Sequence, residues 1–174
     1  MRRGFTTLLV LLFVPTLASA ESIAEAVARD YDRHLEDLFV HFHRNPELSY
    51  LEVETSKRLA KELRKAAAKV TRGVGGTGVV GVLENGPGPR LLIRTDMDGL
   101  PIKEDSGLDY QSSATQKRQD GEVVPVMHAC GHDMHMTSLV GSARWLAKNR
   151  DTWSGTIVFI GQPAEERIGG AKAM

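Results

Sequence analysis

The chain has 174 residues, with 22 Lys and Arg against 22 Asp and Glu, one cysteine, and hydrophobic residues at 41%. That even balance leaves no electrostatic footprint for nucleic acid or an anionic membrane, and the length suits one domain of ordinary size. One cysteine cannot form an internal disulfide, so Cys130 requires another explanation: inert burial, an intermolecular partner, or a metal.

Arg2 and Arg3 form a short basic start, Leu8 to Val14 an apolar run, and Ala18-Ser19-Ala20 the small-residue pattern that a signal peptidase cleaves. Residues 1–20 therefore read as a signal peptide, and the mature chain is expected to begin at Glu21 in a secreted or periplasmic setting. The apolar run is too short to span a bilayer, so no membrane association is expected after cleavage. Residues 21–174 keep 20 basic and 22 acidic side chains, a formal charge of −2.

From Ile23 to Phe42, the residues Ile23, Val27, Tyr31, Leu35, Leu38, Phe39 and Phe42 recur at helical spacing, which predicts one amphipathic helix. His43 to Ser49 is punctuated by Asn45-Pro46 and reads as a loop. Ser49 and Glu52 have the spacing of a capping box, opening a second helix to about Ala68 with Val53, Leu59 and Leu63 inward. Gly78 to Glu84 and Arg90 to Thr95 are short and aliphatic, separated by Asn85-Gly86-Pro87-Gly88-Pro89, and read as a hairpin or adjacent strands. Lys103 to Val124 is polar and irregular. Met136, Leu139, Val140, Ala143, Leu146 and Ala147 mark a third helix, and Thr156 to Ile160 is a continuous apolar run expected of a strand covered on both faces. Strand, crossover with helix, strand is an α/β layout.

Three polar clusters punctuate this layout. Asp96-Met97-Asp98-Gly99 ends the Arg90 strand, His128 to His135 opens the third helix, and Pro163-Ala164-Glu165-Glu166 follows the last strand. Ligands in open α/β sheets gather at the carboxyl ends of strands. A thiolate, an imidazole and a carboxylate are a usual ligand set for zinc and similar divalent ions, and Cys130 and His132 stand two residues apart. Of two adjacent glutamates, one can bind metal while its neighbour takes a proton from an attacking water.

The segments His43 to Tyr50, Gly73 to Gly81, Arg94 to Ile102, Met127 to Met136 (MHACGHDMHM) and Gln162 to Glu166 (QPAEE) resemble the aminoacylase-like metallopeptidases. Within that family they are most similar to the branch of hippurate hydrolase and the indole-acetyl amino acid hydrolases. The resemblance implies part of a catalytic α/β domain of the two-metal aminopeptidase type, a mixed sheet flanked by helices, interrupted in whole members by a smaller lid and dimerisation domain. It implies Cys130, His132 and Glu166 as metal ligands, Glu165 as general base, and Asp98 as the catalytic aspartate that supports and orients the site. Asp96 fills a position that is a metal-binding histidine in more distant relatives. His43 carries no role in the chemistry on this reading, His135 belongs to helix packing or the surroundings of the metal, and Trp145 and Trp153 to packing.

By the same resemblance, the expected activity is hydrolysis of the amide of an N-acyl amino acid by a metal-activated water, with two divalent ions per site (zinc, manganese, cobalt or nickel). The alternatives are a dipeptidase or carboxypeptidase of the same superfamily, or a non-catalytic secreted module that binds metal. Two further metal-binding histidines and the lid would follow the glutamate pair, so residues 21–174 are expected to be the first part of a longer catalytic domain, whose homodimer would form through that lid.

Overall fold

A computed structural model describes residues 21–174; the expected signal segment, residues 1–20, lies outside them. Ser22 and Glu25 form a reciprocal capping box that starts α1, Ile23–Asp30. Helical backbone continues through a π turn, Tyr31–Leu35, into α2, Glu36–Arg44. The predicted stripe is thus divided: Leu35, Leu38 and Phe42 are buried, while Ile23 and Val27 are exposed. Asp30 accepts both forks of the Arg144 guanidinium at 2.6 Å, tying the end of α1 to the fourth helix. Among the described residues, no helix is long and apolar enough to cross a membrane.

The second helix, α3, spans Val53–Lys65, but the expected capping box at its start does not form. Ser49 donates instead to Asp98, and the Glu52 carboxylate turns away from the helix. Val53 is exposed rather than inward, whereas Leu59 and Leu63 are fully buried.

Four strands form the main sheet: β1 (Lys69–Val74), β2 (Gly78–Asn85), β3 (Arg90–Asp96) and, after a two-stranded ribbon of β4 (Thr115–Lys117) and β5 (Val123–Pro125), β6 (Gly155–Gln162). Their order is β1-β2-β6-β3. β2 and β3 are therefore not neighbours, as their sequence proximity suggested; β6 lies between them, antiparallel to β2 and parallel to β3. β1, a polar strand that the sequence reading did not single out, pairs with β2. The chain between β3 and β6 is a crossover that contains the ribbon and α4, His132–Lys148. A short last helix, α5, spans Gly170–Ala173.

One face of the sheet carries the core. Val79, Leu83, Ile157 and Phe159 pack with Leu38, Phe42, Leu59, Leu63, Met136 and Val140 from the helices. At Gly161 a Cβ would come within 2.5 Å of the Leu59 side chain and 2.8 Å of Met97, so a larger residue would displace these buried side chains between α3 and β6. The opposite face, with Val80, Val82, Val158 and Ile160, is half-buried and outside that cluster. Among the described residues β6 is thus fully covered on one face rather than both.

Candidate metal centre

β3 and β6 are parallel and in register from Arg90↔Thr156 to Asp96↔Gln162, so both release the chain at the same end of the sheet. Asp98 stands two residues past β3, and Pro163 to Glu166 turn out of β6. His132 is the first residue of α4, entered through Gly131 at φ 76°, a left-handed conformation that glycine adopts without strain. The three clusters thus meet because two strand ends and the helix start between them share one rim.

Asp98 organises that rim. Its two carboxylate oxygens accept the amides of Glu165 (3.1 Å) and Glu166 (3.0 Å), and Oδ2 also accepts the Ser49 hydroxyl at 2.6 Å. Nδ1 of His132 lies 2.8 Å from the Asp98 carbonyl oxygen and 3.6 Å from its carboxylate. A carbonyl only accepts, so Nδ1 carries the proton and Nε2 faces Glu165 at 3.8 Å and Glu166 at 3.9 Å. Burial alone would push Asp98 up, but the bonds from His132, Ser49 and the Glu166 amide outweigh it and hold the carboxyl below its ordinary range. Burial likewise opposes charge on His132, yet Asp98 and the charge of Asp96 push its pKa up to about 9.

Among the described residues, Asp96, His132 and Glu165 bring possible donor atoms within 4.8 Å of one another, a set that shares only His132 with the ligands expected from the sequence. Asp96 is buried, and burial raises its pKa against the opposing charges of Arg94 and His132. Oδ1 of Asp96 and Oε1 of Glu166 are buried without a hydrogen-bond partner among the described residues. Cys130 is exposed at the same rim, where the facing Glu166 carboxylate pushes its thiol up to about 11. Carboxylates crowded around one imidazole, two of their oxygens orphaned, fit a divalent cation: it would satisfy the lone pairs and the charge together.

The model of peptidase family M20/M25/M40 matches residues 92–174, the segment that holds these clusters. Residues 92–174 belong to this family. The chain is 48% identical over 136 residues to thermostable carboxypeptidase 2 of Saccharolobus solfataricus, covering 76% of this chain and 32% of that protein. It is 41% identical over 146 residues to hippurate hydrolase of Campylobacter jejuni, covering 83% and 35%. The solved Bacillus subtilis YXEP protein, a dinuclear metal binding peptidase from the M20 family, is similar with a TM-score of 0.73 and 35% identity, covering 83% of this chain and 38% of that one. The chain spans about a third of the length of the curated relatives it matches.

Within this matched segment the residues singled out from sequence (Asp98, Cys130, His132, Glu165 and Glu166) all lie at one rim, and Asp96 joins them. His135 is exposed beside His132, with ring centroids 5.8 Å apart. Sequence reasoning missed the buried polar network behind the rim. His43, expected to be a structural loop histidine without a role in the chemistry, lies in the last turn of α2 with Nδ1 2.6 Å from Asp133 and Nε2 3.0 Å from Glu104. Burial works against its charge, but the two carboxylates raise its pKa above the ordinary histidine value. Glu104 also accepts the Ser112 amide at 2.6 Å, anchoring the irregular segment before the ribbon. Asp133 adjoins His132 in sequence, the one signal that pointed toward this network. His128 is buried with neither ring nitrogen bonded among the described residues, and burial lowers its pKa to about 4.

Proposed function

We propose that the protein carrying this chain is a metal-dependent amidohydrolase that cleaves the amide of N-acyl amino acids of the hippurate kind. The observation that carries the reading is the convergence of Glu165, Glu166 and Nε2 of His132 over a carboxylate, Asp98, that holds the amides of both glutamates. Cys130, His132 and Glu166 would hold divalent metal, two ions per site in the full-length protein, drawn from zinc, manganese, cobalt or nickel. Bound there, such an ion polarises a carbonyl and lowers the pKa of a water. The orphaned oxygen of Glu166, the thiol of Cys130 and Nε2 of His132, which faces both glutamates, support that assignment.

The chain's own residues have distinct tasks on this reading. Asp98 fixes the proton on Nδ1 of His132, so Nε2 is the nitrogen that would give up its proton and donate a lone pair to a cation. Glu165, whose side chain is 39% exposed and faces the rim, takes a proton from the water attacking the carbonyl carbon. It returns that proton to the leaving nitrogen as the C–N bond breaks. Export through residues 1–20 and a homodimer in the full-length protein belong to the same proposal.

Glu165→Gln and Glu166→Gln in the full-length protein test the division of labour. The first is expected to keep its metal and lose turnover by roughly two to four orders of magnitude, the range for removing a general base; the second is expected to lose metal as well. Metal analysis with the opposite pattern reverses the assignment. A second reading, a carboxypeptidase of the same family, is favoured by the 48% identity to a thermostable carboxypeptidase. Comparing kcat/KM for hippurate with that for unblocked dipeptides separates the two.

A further inference from the structure

The Glu52 side chain is completely buried, yet among the described residues it has no cationic partner. It spends nothing on capping α3. Its Oε1 accepts the amides of Tyr50 (3.0 Å) and Ala164 (2.7 Å), and its Oε2 accepts the Thr77 hydroxyl at 2.6 Å. A carboxylate withdrawn from water and answered only by neutral donors is costly to bury, so its donors are the place to look for its purpose.

Both amide donors belong to residues in the left-handed region, Tyr50 at φ 67° and Ala164 at φ 46°. Neither is glycine, asparagine or aspartate, and such backbone persists where the surroundings overdetermine it. Ala164 directly precedes the glutamate pair. The amides of residues 164, 165 and 166 are therefore all taken by two buried carboxylates, the first by Glu52 and the next two by Asp98. Tyr50 closes the turn from the other side: a Cβ at Gly169 would fall 1.8 Å from its hydroxyl. The Gly169 and Gly170 amides both return to the Ala164 carbonyl at 3.3 Å.

We infer that Glu52 is a positioning residue for the glutamate pair: by binding the Tyr50 and Ala164 amides it sets the turn from which Glu165 and Glu166 project. It acts through backbone and touches no reacting atom. The inference rests on the proposed role of Glu165 only for its effect on turnover; the hold on the turn stands independently.

Glu52→Met keeps the length of the side chain and removes both acceptors, while Glu52→Gln keeps a carbonyl oxygen for the two amides and can donate to Thr77. In the full-length protein, amide hydrogen exchange of residues 164–166 is expected to quicken by about tenfold or more in Glu52→Met and to stay within about threefold of the parent in Glu52→Gln. On hippurate, kcat of Glu52→Met is expected to fall about 10- to 100-fold, as displacement of a reacting group by an ångström does, with KM and bound metal little changed; Glu52→Gln is expected to restore most of it. Parental exchange rates in Glu52→Met, or a loss confined to KM, overturn the inference. If Glu52→Met does not fold, Thr77→Val, which removes one donor to the carboxylate, must still speed exchange at residue 164; unchanged exchange there overturns it too. Retained turnover in Glu165→Gln would sink the reading of the reaction while leaving the exchange result to judge Glu52.

Discussion

His43 is held between Asp133 and Glu104, both of them nearly inaccessible to solvent, with one ring nitrogen committed to each. Breaking a buried charge pair by removing one partner is destabilising because the other is left uncompensated, typically by about 3–5 kcal/mol. His43→Leu is therefore expected to lower stability by roughly that amount, read as a fall in denaturant midpoint at unchanged slope. A midpoint within experimental error of the parent would mean that water replaces the ring. This network was illegible in the sequence because its members are 61 and 90 residues apart. Cys130, His132 and the glutamate pair were legible, since their types and spacing have a chemical meaning before any fold is known. Glu52 was visible but misread: its spacing from Ser49 fits a cap, and only the placement of Ala164 beside it shows where its oxygens go.

Between elements, the bidentate pair of Asp30 and Arg144 fastens α1 to α4 just before the π turn, with both side chains about four-fifths buried. Arg144 holds the Asp30 carboxyl below its unfolded value of 3.8. A depressed folded pKa gives stability that is present above the unfolded pKa and lost as pH falls through the folded one. Asp30→Asn should accordingly cost roughly 1–2 kcal/mol near neutral pH, and the difference from the parent should shrink as pH is taken below 3.8. Thermal unfolding of parent and variant across that range measures it; a difference that persists in strong acid would locate the effect in something other than the ion pair. Helices were foreseen best at the stripes that face the core, as in α4, because a 3.6-residue period reports burial directly. β1 carries no such stripe: Lys69, Thr71 and Arg72 are exposed, and it is a strand because β2 offers it an edge.

At the scale of the whole molecule, β3 closes one side of the sheet with no strand on its outer edge among the described residues, and Leu91 and Leu92 there are 56% and 55% exposed. An open apolar edge invites pairing with another chain. Residues 21–174 produced alone are expected to self-associate, and Leu92→Lys to raise the monomer fraction in light scattering at equal concentration. No change in that fraction would exclude the edge as the contact. The sequence by itself determined the α/β class, the family, and the residue types at the two strand ends and the helix start, because side-chain period and metal-ligand chemistry are local properties. Only the tertiary structure decided that β6 inserts between β2 and β3, and that Glu52 and Asp98 divide the amides before and within the glutamate pair. Strand order depends on which edges remain free once the helices have packed, and a buried carboxylate takes whichever amides the fold brings to it; neither is written in the spacing of neighbouring residues.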